Sequence, residues 1–367
     1  SALFRVAGLV LLIRPFYTIH GALLRRELRF KEFSTVRMAA NAIEFSVKLG
    51  SAIAGAGVWC FAAGAIAREV TYAVGVPLQV RWRPRAVCRP RLAGPDIRFG
   101  MRSTGGELLY QLYSNLDYQV VGAYFGTAAV GLYRAAKELV LEPVRFVSNV
   151  VTVVAFPTFA RLRNDRAAVI EQYVAFTRQN LVAVLLLLGV VVVAAEDVLL
   201  VVLGRDYVPA ATAARILAVV GVFRALSHLG PPLLDGLGRP DLSLRYHVTA
   251  TIVLGTLFVG FAHAGSGFSY VAVAWAIGYP FAFGVLSWMV FSQLELGVLA
   301  YVRRVGRIVV WVVIAAVAGF VAHVALEDRA PAMRLGVSSG IVVGLGFALL
   351  ATFEGFSPRT IFRSLRG

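Results

Sequence analysis

The stretch LVAVLLLLGVVVVAA, residues Leu181–Ala195, contains no charged or hydrogen-bonding side chain. It lies within a segment, 173–195, that is long enough to cross a hydrocarbon core about 30 Å thick as a helix. Comparable apolar runs are Val248–Phe261, Val271–Val290, Ile308–Val324 and Leu335–Thr352. They lack the alternation of barrel strands, and a helix satisfies its own backbone groups in lipid. The sequence therefore predicts an all-α polytopic membrane protein.

The composition of the whole chain agrees with this class. Hydrophobic residues make up 59% of the 367 residues and charged residues 15%, whereas soluble domains average about 45–50% and about 25%. The formal net charge is +16, but basic residues of membrane proteins concentrate in cytoplasmic loops. We therefore expect membrane lipids, and no nucleic acid, among the partners. The five histidines show no metal-ligand spacing, so we expect no metal site and no other cofactor.

The charges between the apolar segments alternate. We predict about eleven membrane-spanning segments, with approximate limits 2–23, 34–56, 58–79, 98–122, 129–158, 173–195, 208–232, 242–263, 268–291, 306–325 and 333–353. Arginine and lysine fill every second connection, such as Arg25–Lys31, whereas Gly55–Val58 and Gly122–Ala128 carry no charge. The positive-inside rule then places the basic loops and the C-terminus in the cytoplasm.

The same rule gives the direction of the first segment, which must run from outside to inside. A cytoplasmic N-terminus then requires an odd number of preceding helices, and about three would give a total of about 14. The sequence also begins without methionine, directly inside an apolar segment. We therefore expect it to be N-terminally truncated, and we expect these residues alone to be inactive.

Three of the segments carry polar residues at the three- and four-residue steps of one helix face. An ionisable group within a span costs several kcal/mol unless it faces protein or water. These polar positions are Arg37, Asn41, Glu44 and Lys48 in the second segment, Tyr110, Tyr113 and Asp117 with the flanking Arg102 in the fourth, and Arg134, Glu138 and Arg145 in the fifth. Three such faces in one bundle predict a water-filled cavity.

A set of structural ion pairs is the alternative explanation of these stripes. Arg134 with Glu138 and Glu44 with Lys48 are spaced i,i+4 and can neutralise each other, so this alternative stays open for each pair. It does not cover the stripes as a whole, because they also carry an unpaired Arg145, Asn41 and the tyrosines. Because the planar guanidinium suits phosphate and carboxylate, the excess of arginine favours a cavity for an anion.

Two further arginines are weaker candidates. Arg68 lies between Gly64 and Tyr72 on the third segment, where it lines the cavity or contacts lipid headgroups. Arg224 lies well inside the seventh segment and is a candidate cavity residue of the second half of the chain.

Three motifs resemble those of a known family. LRRELRFK at Leu24–Lys31 is similar to a motif between the fourth and fifth helices of polysaccharide flippases. NLD at Asn115–Asp117 followed by FGTAAVGLY at Phe125–Tyr133 resembles the start of their second lobe, and FPTFARL at Phe156–Leu162 follows it. The chain thus resembles oligosaccharide flippases of the Wzx type, in the multidrug/oligosaccharidyl-lipid/polysaccharide exporter superfamily.

This resemblance implies a MATE-like, V-shaped bundle of two six-helix lobes. Residues 1–79 would be the C-terminal half of the first lobe with three helices, 80–97 a basic cytoplasmic inter-lobe loop, 98–291 the second six-helix lobe, and 292–367 two extra C-terminal helices with a basic cytoplasmic tail. The implied substrate is an oligosaccharide on undecaprenyl diphosphate, moved to the outer leaflet of a bacterial inner membrane. A polysaccharide polymerase and glycosyltransferases of the same pathway are implied partners, and we expect a monomer.

The resemblance also gives roles to the predicted cavity residues. Positive charges that would attract the diphosphate and acidic sugars are Arg37, Lys48, Arg102, Arg134 and Arg145. Carboxylates that would balance this charge, one of them able to carry a coupling proton or sodium ion, are Glu44, Asp117 and Glu138. Tyr110 and Tyr113 would stack against sugar rings.

Three other functions remain open from the sequence. A multidrug antiporter of the same superfamily should present an acidic, aromatic cavity rather than one rich in arginine. A membrane glycosyltransferase or polysaccharide ligase needs a catalytic group with an orienting partner, whereas the loop 80–97 offers only arginines, prolines and Cys88. We therefore expect a transporter and not an enzyme. An inactive scaffold of an export complex is the third alternative.

Overall fold

The computed structural model describes residues 8, 10, 12–27, 29–80, 82–83 and 90–355. Within that part of the chain every regular element is a helix, and seven helices are long and apolar enough to cross a membrane. The predicted class of an all-α polytopic membrane protein is thereby confirmed. The chain forms two compact units, Ser1–Pro90 and Arg91–Gly367.

The described part of the first unit includes the helices α1 (Pro15–Arg26), α2 (Phe30–Ile53) and α3 (Trp59–Leu78). α2 and α3, which correspond to the predicted spans 34–56 and 58–79, pack along each other. Neither is among the seven strongly apolar helices, because charged side chains interrupt their apolar runs, five in α2 and two in α3.

Glycines allow the close contact between α2 and α3. A Cβ atom at Gly75 would lie 2.8 Å from Cγ1 of Val36, and one at Gly64 would overlap the stem of Lys48. These contacts join the start of one helix to the end of the other, so α2 and α3 are antiparallel. Leu24, Val36 and Val76 form the small buried core of this unit.

The second unit begins with α4 (Pro90–Leu162), a long helix interrupted at Gly126. Gly126 has φ +82° and ψ 176°, a conformation that is essentially restricted to glycine. Beyond it the chain folds back, since Tyr133 hydrogen-bonds to Asp117 and a Cβ atom at Gly122 would lie 3.3 Å from Val130. The predicted spans 98–122 and 129–158 are therefore the two antiparallel arms of α4, joined by a very short turn.

The other helices of the second unit follow in chain order. They are α5 (Arg166–Val202), a 3₁₀ helix (Arg205–Ala210), α6 (Ala211–Ser227), α7 (Gly230–Gly236), α8 (Pro240–Ala264), α9 (Ser269–Leu294), α10 (Val298–Ala325) and α11 (Pro331–Glu354). α5 packs against α6, α10 and α11, and α9 packs against α6 and α8. Trp275 on α9 is the largest fully buried side chain, and it lies next to the cavity described below.

Ion pairs tie both ends of the last two helices to α5. At one end Asp197 of α5 accepts two hydrogen bonds from Arg334 of α11, the first of them 2.6 Å long. At the other end Glu354 of α11 contacts Arg178 of α5 at 2.8 Å and Arg307 of α10 at 2.9 Å. Since Asp197 and Glu354 are both almost fully buried, these contacts hold α10 and α11 in a fixed position against α5.

The proposed division into lobes stays a prediction, as does the V-shaped arrangement. Within the predicted loop 80–97, residues 81 and 84–89 lie outside the described residues, and α4 begins at Pro90. The basic tail 356–367 also lies outside them, as do residues 1–7, 9 and 11 of the first predicted span.

Candidate functional site

A cavity of about 230 Å³ lies in the second unit, lined by both arms of α4 and by α6, α7, α8 and α9. Most of the polar side chains in its lining are aromatic or positively charged: Tyr110, Tyr113, Tyr246, Tyr279, His228, His247, Arg145 and Arg224. Glu107 is the only carboxylate among the described residues that line it. The cavity therefore combines aromatic faces with an excess of positive charge.

Arg224 gives this cavity its most distinctive charge. Its guanidinium donates to Ser114 Oγ at 3.1 Å, and its Cζ atom lies 4.9 Å from the ring centre of Trp275 and 5.6 Å from that of Tyr279. The ion pairs closer than 4.0 Å within the described part of the chain do not include Arg224. Aromatic faces stabilise the cation but do not neutralise it, so most of its donors remain available for an anion.

The aromatic side chains of the cavity contact one another. Tyr110 meets Tyr113 edge-on with 5.6 Å between ring centres, and Tyr113 stacks on His247 at 6.2 Å. Tyr246 lies 4.9 Å from the same histidine. A Cβ atom at Gly106 would lie 3.1 Å from Cδ2 of His247, so glycine at that position lets the imidazole approach α4. Each ring thereby restricts the orientation of the next.

Arg145 lines the cavity from the second arm of α4 and is half exposed. The sequence pattern leaves it without a partner, which is wrong: it contacts Glu142 at 2.5 and 3.0 Å. The partner was overlooked although it stands three residues before Arg145 and four after Glu138, a spacing that also fits this helix face. One turn further along, Asn149 hydrogen-bonds to His228 at 3.1 Å.

Asp117 lies between the arms of α4 and is fully buried. Its Oδ2 atom accepts hydrogen bonds from Tyr133 at 2.8 Å, Lys137 at 2.6 Å and Trp275 at 2.8 Å. Its Oδ1 atom accepts from the backbone N–H of Tyr118 and from Lys137, both at 2.9 Å. The structure thus places Asp117 beside the cavity rather than in its lining, with both oxygens hydrogen-bonded.

Lys137 is the main residue that the sequence patterns missed. It lies on the second arm of α4, off the stripe that contains Arg134 and Glu138, and is 5% exposed. Its position could have been inferred from the turn at Gly126, because Asp117 and Lys137 stand at nearly equal distances on either side of it. The same turn pairs Asp117 with Tyr133, so two residues of the quoted second-lobe motifs are in direct contact.

The other candidates of the second unit lie elsewhere. Arg134 and Glu138 form an exposed ion pair of 2.6 Å in a separate, open hollow near Tyr207. Arg102 lines a surface groove beside Gly238. Of the predicted stripes in this unit, only Tyr110, Tyr113 and Arg145 therefore meet in the cavity.

The stripe of the first unit contains a chain of ion pairs. Glu44 accepts from Lys48 at 2.6 Å and from Arg68 at 3.1 Å, and Arg68 also contacts Glu69 at 3.4 Å. Glu69, which the polar stripes do not include, is almost fully buried and accepts from Tyr17 at 2.7 Å.

Arg37 and Asn41 lie on α2, on the same polar stripe, and both are exposed. The structure thus separates this stripe into an exposed part and a part engaged in ion pairs.

A family model described as "polysaccharide biosynthesis protein" matches residues 1–212, more than half of the chain. The chain belongs to the polysaccharide biosynthesis protein family. This membership confirms the resemblance to polysaccharide flippases drawn from the three motifs. Within the family, the cavity described above is the candidate site, and part of its lining, Tyr110 to Thr152, falls inside the matched region.

Two relatives match most of the chain. The teichuronic acid biosynthesis protein TuaB of Bacillus subtilis is 24% identical over 83% of this chain and 63% of its own length. The lipopolysaccharide biosynthesis protein WzxC of Escherichia coli is 25% identical over 74% of this chain and 57% of its own length. The chain therefore spans less than two thirds of these relatives.

A third relative matches a shorter part of the chain. The succinoglycan biosynthesis transport protein ExoT of Rhizobium meliloti is 24% identical over 45% of this chain and 33% of its own length. No solved structure matches the chain significantly.

Proposed function

We propose that this chain is part of a transporter that flips an undecaprenyl-diphosphate-linked oligosaccharide across the bacterial inner membrane. The product would serve surface polysaccharide synthesis, as O-antigen, capsule or exopolysaccharide. The observation that carries the proposal is Arg224, a cation that contacts no carboxylate of the described residues, inside a tyrosine-lined cavity of a polysaccharide biosynthesis family member. Membership of the family, and the name of ExoT as a transport protein, support transport rather than catalysis.

The chemistry of the cavity suits this class of substrate. A guanidinium binds phosphate or carboxylate oxygens through several directed hydrogen bonds, so Arg224, assisted by Arg145, would hold a diphosphate or an acidic sugar. Tyr110 and Tyr113 offer aromatic faces and hydroxyl groups to a sugar ring. The isoprenoid tail would remain in lipid while the polar part passes through the protein by alternating access.

The remaining predicted residues would add polar surface for transport, each within its own unit. They are Arg102, Arg134 and Glu138 in the second unit, and Arg37, Asn41, Glu44 and Lys48 in the first. We further propose that the C-terminus is cytoplasmic, because the tail and every second connection are basic. Glycosyltransferases would supply the lipid-linked oligosaccharide and a polymerase would consume it, and the protein would act as a monomer.

A multidrug antiporter is the competing transporter. A cavity that binds organic cations needs negative charge. The described lining of this one offers a single carboxylate, Glu107, whereas Arg224 contacts no carboxylate of the described residues and Arg145 is paired with Glu142. The guanidinium of Arg224 therefore favours an anionic substrate.

Deleting the full-length gene tests the proposal. We expect the deletion strain to lose surface polysaccharide and to accumulate lipid-linked oligosaccharide that faces the cytoplasm, with recovery when the gene is returned. If no oligosaccharide accumulates and sensitivity to cationic drugs rises instead, the antiporter explanation is correct. A strain that cannot make the oligosaccharide at all serves as the control, because deletion should then change nothing.

A further inference from the structure

The polar atoms around the ammonium of Lys137 form a cation-binding shell. Nζ contacts the backbone oxygen of Ser114 at 2.7 Å and the two carboxylate oxygens of Asp117 at 2.9 and 2.6 Å. It also lies 4.3 Å from the ring centre of Tyr118 and 5.4 Å from that of Trp275. A backbone carbonyl, a bidentate carboxylate and aromatic faces are all groups that stabilise a positive charge.

Residues other than Lys137 also hold the carboxylate of Asp117 in position. Tyr133 and Trp275 each donate to Asp117 Oδ2 at 2.8 Å, and the backbone N–H of Tyr118 donates to Oδ1. The carboxylate would therefore keep its position after loss of the lysine side chain. It would then be a buried anion with no ion-pair partner among the described residues, a state that strongly favours uptake of a cation.

We propose that the buried Asp117–Ser114 shell is a monovalent-cation site of ammonium size that Lys137 permanently fills with its own side chain. Lys137 thereby replaces a free cation with a covalently attached one. If the oligosaccharide proposal holds, a consequence that rests on it is that Asp117 is not free to carry a coupling proton or sodium ion. The existence of the site does not depend on the transported substrate.

The cations Lys137 and Arg224 both lie near this site, and Lys137 is the one that pairs with Asp117. Arg224 shares Ser114 with it, but through Oγ rather than the backbone oxygen, and its closest aromatic partner is the ring of Trp275. Among the ion pairs of the described residues, Asp117 pairs with Lys137 and with no arginine. Removing the ammonium should consequently open the shell to an external ion without releasing another internal one.

The test is the thermal stability of the purified full-length protein in detergent. For Lys137→Ala, we expect a lower Tm than for the wild type, restored in a saturable manner by ammonium or methylammonium chloride. Choline chloride at the same ionic strength should not restore it, because its head group is too large. Lys137→Met is the matched control, since its neutral side chain fills the space and should leave the Tm insensitive to ammonium.

A second variant covers the possibility that Lys137→Ala does not fold. The double variant Asp117→Asn/Lys137→Ala removes the need for a cation, so we expect it to fold and to show no ammonium dependence. Recovery of folding by this variant would support the proposal even when the single variant is lost. Two results would overturn it: a stable Lys137→Ala protein whose Tm ignores ammonium, or failure of both variants to fold.

Discussion

Replacing Arg334 with alanine should destabilise the second unit. Arg334 makes two hydrogen bonds to Asp197, whose side chain is 1% exposed, and His323 Nδ1 is 3.7 Å from the same carboxylate. Removing one partner of a buried ion pair costs about 3–5 kcal/mol. Because the Arg334 side chain retains 19% exposure, we expect the lower end, about 3 kcal/mol, or a fall in Tm of about 6–12 °C.

The assay is thermal unfolding of the purified full-length variant in detergent. Arg329→Ala is the matched control, because this exposed arginine lies in the connection just before α11 and should change stability by about 0.5 kcal/mol or less. Removing both charges, in Asp197→Ala/Arg334→Ala, should recover part of the loss, since no buried charge is then left alone. A Tm for Arg334→Ala equal to that of Arg329→Ala would refute the reasoning.

Two further predictions concern the hairpin of α4. Gly126→Ala should cost about 1–3 kcal/mol, because its φ of +82° is reserved for glycine, and it should lower both yield and Tm. Gly131→Ala is its control, because a Cβ atom at Gly131 would have no atom within 4 Å. Equal losses of stability in the two variants would show that a side chain at Gly126 does not strain the turn. Tyr133→Phe should cost about 1–2 kcal/mol through loss of the bond to Asp117, measured in the same assay. Tyr124→Phe, at a half-exposed tyrosine, should be close to neutral, and a Tyr133→Phe protein as stable as this control would contradict the assigned hydrogen bond.

The membrane helices of the second unit could be predicted well from the sequence. Apolar runs such as Leu181–Ala195 are long, continuous and bounded by charged residues, so their limits follow from the cost of placing charge in lipid. The ends were less certain. α5, for example, extends from Arg166 to Val202 with a kink at Ala194, well beyond the predicted 173–195. Its first turns carry charged residues, and Glu196 and Asp197 stand between the apolar run and its last turns.

The candidate site could be predicted only in part. Tyr110 and Tyr113 line the cavity because helical periodicity places them on one face. The same periodicity cannot tell which neighbouring helix each face contacts. It therefore could not show that Arg134 and Glu138 line a different hollow.

Residues contributed by distant helices carry no periodic signal of this kind. Tyr246 and Tyr279 line the cavity from α8 and α9, yet in the sequence Tyr279 stands among apolar residues and Tyr246 between Arg245 and His247. Arg224 was recognised as an unusual charge within a span, but the sequence could not show that none of the described carboxylates contacts it. The contacts of Lys137 likewise depend on the turn at Gly126.

Substitution of Arg224 provides the most direct test of the central claim that the cavity binds the anionic part of the substrate. The measurement is the fraction of lipid-linked oligosaccharide that reaches the outer leaflet in a deletion strain complemented by each variant. We expect Arg224→Ala to reduce this fraction about tenfold or more, since a hydrogen bond to a charged group contributes about 1.5–3 kcal/mol, and Arg224→Lys to recover part of it. Arg245→Ala, an exposed arginine on α8 outside the cavity lining, should match the wild type. Wild-type flipping by Arg224→Ala, at equal amounts of protein in the membrane, would contradict the account.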